Sequence, residues 1–170
     1  MIKTKIEIPY TGKFIIVSLD PDTLISPHFR LTELANNKGN KNIPQYEINT
    51  ETGRFMANVE TLRGMYGKPI NLSSCYRQPA FNLSVGGSLN SLHTPTINHP
   101  GGLAIDWKLP ALQDPLYNQI YKWWYTICYD TAHIPGINRY TNGVHLSYDE
   151  RLLGYKEPQI RDKRKTTEDW

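Results

Sequence analysis

Two short alternating stretches constrain this chain more than any other feature. In residues 103–109, Leu103, Ile105, Trp107 and Leu109 share one parity, and Ala104, Asp106 and Lys108 share the other. In residues 144–148, Val144, Leu146 and Tyr148 share one parity, and His145 and Ser147 the other. Successive side chains of a β-strand point to opposite faces, so each stretch reads as a strand with one apolar face. Paired in one sheet, the two strands can project Asp106 and His145 from the same polar face. The apolar parity would then pack against helices. An aspartate inside an apolar strand is costly to bury unless it is paired or metal-bound.

A third donor can come from the loop before the first strand, where Ser91-Leu92-His93 stands. Two imidazoles and a carboxylate make a ligand set for a catalytic zinc, because three protein ligands leave the fourth tetrahedral position open to water. That open position separates a hydrolase from a structural zinc site.

The 170 residues fit one domain. With 39% apolar and 11% aromatic residues, the chain should fold. A net charge of +3, with no arginine-rich helix or aromatic-interleaved basic stripe, argues against nucleic acid as a partner. Cys75 and Cys128 make no disulfide framework and no CxxC, and read as reduced, partly buried thiols. The N-terminus has no secretory pattern, and no stretch reaches the length of a membrane span. The expectation is synthesis in a cytoplasm without a signal peptide, and no membrane insertion.

Residues 1–25 read as an extension with strand character, 26–156 as the main domain and 157–170 as a charged, solvated C-terminal tail. Residues 36–54, rich in Asn, Gly, Lys and Thr, read as an exposed loop. A helix is expected from an N-cap at Asn58 to a stop at Gly67, with Val59 and Leu62 on its inner face. Pro69 to Ser73 reads as a short strand, and residues 77–102 as loop. A second helix is expected with Asp114 as N-cap and Pro115 in its first turn. Its stripe of Leu116, Ile120, Trp123 or Trp124, and Ile127 reads as core.

These pieces together resemble a known family. The order is Phe29-Arg30-Leu31-Thr32-Glu33-Leu34, Leu62-Arg63, Tyr66-Gly67-Lys68-Pro69-Ile70, Ser74-Cys75-Tyr76-Arg77 and Gly86-Gly87-Ser88-Leu89-Asn90-Ser91-Leu92-His93. Gly102-Leu103-Ala104-Ile105-Asp106 and Val144-His145-Leu146 complete it. Over roughly residues 28–150, the set is similar to the D-Ala-D-Ala carboxypeptidase-like zinc metallopeptidases. These are peptidoglycan peptidases, phage endolysins among them, with a fold related to lysostaphin-type enzymes and the hedgehog domain. The resemblance implies an α+β fold, with a compact antiparallel sheet and helices packed on one face. It implies zinc held by His93, Asp106 and His145, and amide hydrolysis in peptidoglycan peptides, by a carboxypeptidase or an endopeptidase. Arg77 would steady the substrate carbonyl or developing oxyanion. Ser91 would orient substrate or the neighbouring histidine.

The chain departs from the family pattern at three places. The family has seven positions from the first histidine to the aspartate, whereas His93 lies thirteen before Asp106, as if six residues were inserted. His99 has the usual spacing and stands as the alternative first ligand, without the preceding serine. Cys75 replaces a usual glycine, and its thiol is a further zinc-ligand candidate. Asn142 occupies the position, three before His145, where many members carry an acidic general base. An amide takes no proton near neutral pH, so the base is unassigned, with His133 and Asp149 as candidates.

The resulting expectation is a zinc-dependent wall peptidase, such as a phage endolysin released through a holin or a lysin carried in a virion. Phage structural or lysis proteins would be its partners. A catalytically silent zinc-binding structural or wall-binding module is the competing expectation, favoured by Asn142.

Overall fold

A computed structural model describes residues 24–34, 50–96, 99, 101–110 and 112–164. The chain order is α1 (Leu31–Leu34), α2 (Thr50–Tyr66), β1 (Leu72–Ser74), α3 (Pro79–Ser84), β2 (Ala104–Lys108), α4 (Asp114–Asp130), β3 (Gly136–Tyr140) and β4 (Gly143–Ser147). A 3-10 turn (Glu150–Leu153) and β5 (Gln159–Asp162) follow. The fold is α+β, built on one five-stranded sheet of order β1-β2-β4-β3-β5.

The expected strands pair directly. β2 and β4 are antiparallel, with Asp106 opposite His145 and Trp107 opposite Val144. β3 and β4 form a hairpin in which Asn138 lies opposite His145. The inner parity of β2 and β4 supplies Ile105, Trp107, Val144 and Leu146 to the core. α2 and α4 cover that face. Phe55 of α2 meets Trp124 of α4 edge-on at 5.9 Å and Tyr148 at 5.7 Å. The Trp124 indole N–H donates to the Ser147 carbonyl at 3.0 Å, which pins α4 to the sheet.

The sheet is mixed rather than wholly antiparallel, because β5 runs parallel to β3. The register makes this unavoidable. β4 ends at Ser147 opposite Gly136, and β5 begins at Gln159 beside the same Gly136. A strand that starts where β4 stops, across β3, must run with β3. The tail expected from residue 157 stays solvent-facing but forms a strand over Gln159–Asp162, where backbone pairing to the β3 edge recruits a charged segment. Arg164 continues the attachment by bonding Asp162 and reaching Asp114 at 3.2 Å.

α2 begins at Thr50, not at Asn58, so residues 50–54 are helical rather than loop. Buried positions Thr52, Phe55, Met56, Val59 and Leu62 recur at helical spacing, but the first turn is polar and hides its period. Asn58 is an interior residue whose side-chain amide donates to Thr131 at 3.2 Å, tying α2 to the end of α4. Gly67 does end the helix, at φ +69°. In α4 the N-cap is Gln113, one residue before the expected Asp114. The loop-rich segment 77–102 contains α3, and the short strand falls at Leu72–Ser74 rather than Pro69–Ser73. Of the N-terminal extension only Leu24 and Ile25 lie within the described residues, and residues 36–49 of the expected loop lie outside them. Ile25 is buried in the core. Cys75 and Cys128 are both buried and unbridged. Among the described residues no helix is long and apolar enough to cross a membrane.

Candidate metal centre

The sheet register sets a single polar row across the face that the helices leave uncovered. Ser74 of β1 lies opposite Asp106 of β2, Asp106 opposite His145 of β4, His145 opposite Asn138 of β3, and Asn138 beside Arg161 of β5. A cleft of about 720 Å³ opens over this row. Arg77, Ser91, His93 and Glu150 also line it.

His93 reaches the row from a loop fastened on both sides. Its carbonyl accepts the N–H groups of Arg77 at 2.9 Å and Gly102 at 3.2 Å, and the Leu103 N–H donates to the Leu92 carbonyl at 2.9 Å. The contact between His93 and Gly102 also accounts for the long spacing to Asp106. The extra residues leave after His93 and return through Gly101 and Gly102, both at positive φ, so the excursion closes on itself. Loop insertions of this kind are tolerated because closure entropy grows slowly with length.

One nitrogen or oxygen from each of His93, Asp106 and His145 lies within 4.8 Å of the others, and the three could hold a metal ion. His145 Nδ1 is 2.9 Å from Asp106 Oδ1 and 3.2 Å from His93 Nε2, while His93 Nε2 is 3.3 Å from Asp106 Oδ1. His93 Nδ1 lies 2.5 Å from the Cys75 carbonyl, which accepts only, so Nδ1 carries the hydrogen. In a neutral imidazole that leaves the Nε2 lone pair facing Asp106 Oδ1 and His145 Nδ1. Second-partner fixation of a histidine tautomer is the usual arrangement around protein metals. His99 is buried elsewhere, and neither of its ring nitrogens has a hydrogen-bond partner. It does not belong to the cluster.

The electrostatics suit a cation. Burial pushes the Asp106 carboxyl up, but the facing His93 and His145 imidazoles outweigh it and hold the group far below the usual carboxylate range. Burial drives His93 below the ordinary imidazole value, against the pull of Asp106, and favours its neutral form. Arg77 donates to the other Asp106 oxygen at 2.5 Å, to Ser74 at 2.8 Å and to Asn82 at 3.3 Å. Arg77 is thus an ion-pair partner of Asp106 as well as a cleft residue. Ser91 Oγ accepts the His93 backbone N–H at 3.4 Å. The Cys75 thiol turns to the Gly102 carbonyl at 3.9 Å, and burial pushes its pKa up, away from a thiolate.

The two candidate bases do not line the cleft. His133 stacks on the Tyr148 ring at 3.9 Å. Asp149 caps the 3-10 turn, accepting from the Arg151 N–H, and is paired with the Arg151 guanidinium. Asn142 is exposed in the β3–β4 turn. The acidic residue that does line the cleft beside His145 is Glu150, which sequence reasoning missed. It sits on a 3-10 turn, where strand parity gives no guide. Asn138 was missed too, although the alternation of Ile137 and Arg139 against Asn138 and Tyr140 carried the signal.

The family profile described as peptidase M15 matches residues 27–147. No curated protein and no solved structure gives a significant match. The site and the match define a class, the D-Ala-D-Ala carboxypeptidase-like zinc peptidases. The chain belongs to the peptidase M15 family.

The residues present fit the zinc ion that the family implies. Ligand atoms on a tetrahedral ion with bonds of about 2.0–2.1 Å sit roughly 3.3 Å apart. The three observed separations, 2.9, 3.2 and 3.3 Å, are close to that edge.

Proposed function

We propose that this protein is a zinc-dependent peptidase that hydrolyses an amide bond in the peptide part of bacterial peptidoglycan. The observation that carries the reading is the convergence of His93 and His145, which line the cleft, with the buried Asp106 in a peptidase M15 chain. Zinc held by these residues would polarise the scissile carbonyl and lower the pKa of a bound water toward about 7. Arg77 would hold Asp106 in register and present a fixed positive charge to the developing oxyanion, where preorganised charge is most effective. Ser91 would steady the loop that carries His93. A phage setting, with release through a holin or carriage in a virion beside phage structural or lysis proteins, supplies the access to the wall that such a substrate requires.

Mass spectrometry of purified peptidoglycan fragments, incubated with the protein with and without a zinc chelator, tests this reading. Chelator-sensitive products are expected, and their masses distinguish a terminal D-Ala release from cleavage of a cross-link. Stoichiometric zinc with no product from cross-linked or uncross-linked fragments would overturn the peptidase reading. It would favour a silent wall-binding module, a reading supported by the amide of Asn142 at the position where many members carry an acidic base.

A further inference from the structure

Two acceptor oxygens in the cleft lack donors. Asn138 Oδ1 and Glu150 Oε2 are buried and have no hydrogen-bond partner. Both residues line the cleft beside His145. The great majority of buried polar atoms in native proteins are paired, so two orphans in one cleft point to a group from outside the chain.

The Glu150 carboxyl group is built into its place. Its backbone N–H donates to the Ile134 carbonyl at 2.7 Å, and Oε1 accepts the Ser147 hydroxyl. A Cβ at position 136 would overlap both Ser147 Oγ and the Glu150 carboxyl, so Gly136 keeps the space open. Gly136 and Asn138 are two residues apart on one face of β3. The carboxyl over Gly136 and the amide of Asn138 therefore flank one opening.

The two cations of β5 and its extension do not fill it. Arg161 donates to Gln159 at 3.0 Å, with its guanidinium 5.3 Å from the centre of the Tyr155 ring. The Lys163 ammonium lies 5.9 Å from the centre of the Tyr140 ring. Neither is hydrogen-bonded to Glu150 Oε2.

The chemistry of the opening selects its ligand. Ser147 already donates to Oε1, which leaves Oε2 as the carboxyl oxygen without a partner. A single neutral N–H offers one donor, too few for two unpartnered acceptors. An ammonium group brings a compact positive charge and three donors, enough for Glu150 Oε2 and Asn138 Oδ1 together. We propose that Glu150 and Asn138 form a subsite for a primary ammonium group, through which the cleft holds a peptide substrate carrying a free amine. The subsite rests on the peptidase reading only for the identity of that substrate.

The test titrates the intact protein, with zinc supplied, with butylammonium chloride, using 1-butanol as the neutral match and amide NMR signals as the readout. Saturable shifts at Gly136, Asn138 and Glu150 are expected with butylammonium and not with butanol. Glu150→Gln should weaken binding about tenfold or more, the scale of one charge-assisted hydrogen bond. An unchanged Tm and otherwise unchanged spectrum establish that the variant is folded. Asn138→Asp, which adds a second negative charge, should tighten binding, an effect misfolding cannot imitate.

No saturable shift, equal response to butanol, or equal affinity in Glu150→Gln overturns the subsite and leaves only ordered water between the two oxygens. Absence of chelator-sensitive wall products would sink the peptidase reading without touching this binding result. Where products form, acetylating the free amine of a wall peptide should raise KM about tenfold in the wild type and leave the KM of Glu150→Gln unchanged. An unaltered wild-type KM overturns the assignment of the subsite to substrate.

Discussion

Among the described residues, histidine, aspartate and arginine come together in two clusters. One joins His93 and His145 to Asp106 and Arg77, and the other joins His133 to Asp149 and Arg151. In both, burial pushes the carboxyl up and its partners more than reverse it, leaving the group below the ordinary carboxylate range. The partners differ. Asp106 is pulled down by two imidazoles whose nitrogens converge on it in a cleft. Asp149 is pulled down by the Arg151 side chain and by the backbone N–H groups of Arg151 and Ile134. Its acceptor capacity is spent on closing a turn. The same residue types thus make a candidate metal centre in one place and a latch in the other. Mutual convergence of three ligand atoms separates the two.

Replacing Asp106 should give the largest effect. Asp106→Ala removes one candidate ligand and deprives the Arg77 guanidinium of its carboxylate. Zinc measured by mass spectrometry should fall to background, and chelator-sensitive wall products should disappear. In the metal-free protein, breaking such a buried pair should cost about 3–5 kcal/mol in urea unfolding. Wild-type zinc content in a folded Asp106→Ala protein would remove the distinction between the two clusters.

Gly136→Ala tests the space around the first cluster. The added methyl overlaps Ser147 and Glu150 on the cleft face of β3, and a loss of about 1–3 kcal/mol is expected, the usual range for overpacking. Zinc content should survive, because Gly136 lies opposite Ser147 and not His145. Loss of zinc together with stability would show that the metal centre and the Glu150 side of the cleft are one unit.

Much of the first cluster was legible in the sequence, because strand parity is a local rule. The alternation around Asp106 and His145 put both on one face, and their direct pairing follows once β2 and β4 are neighbours. The start of α2 was hidden because only Thr52 and Gly53 of residues 51–54 are buried. β5 was hidden because a charged strand at a sheet edge is held by backbone bonds rather than by an apolar pattern. The second cluster was illegible as a latch. Nothing in His133 or Asp149 distinguishes a catalytic base from a cap until the turn at Glu150–Leu153 is known.

Asp149→Ala sharpens the contrast from the other side. The substitution removes the 3-10 cap and the bond to the Ile134 N–H, at a cost of about 1–2 kcal/mol. The exposed part of the Arg151 pair should add little. Zinc content and the wall products should remain at wild-type levels. A loss of hydrolysis at unchanged stability would instead return Asp149 to the list of bases.

The smallest expected effect is a pH slope from His133. Burial against Tyr148 is the chief influence on this imidazole and lowers its pKa, although Asp149 and Glu51 pull upward and Arg151 adds to the lowering. The unfolded chain therefore takes up this proton more readily, at its ordinary pKa of about 6.5. As pH falls through that value the unfolded state binds more protons than the folded one, and stability declines. His133→Gln removes this share, so the loss of stability between pH 8 and pH 5.5 should shrink by on the order of a few tenths of a kcal/mol, discounted for the ring's partial exposure. The slope should not vanish, because burial also lowers His93 and His99. Denaturant unfolding of the metal-free protein at both pH values reads the difference. A steeper slope in the variant would mean that His133 is charged in the fold, and that its stacking on Tyr148 holds a cation rather than a neutral ring.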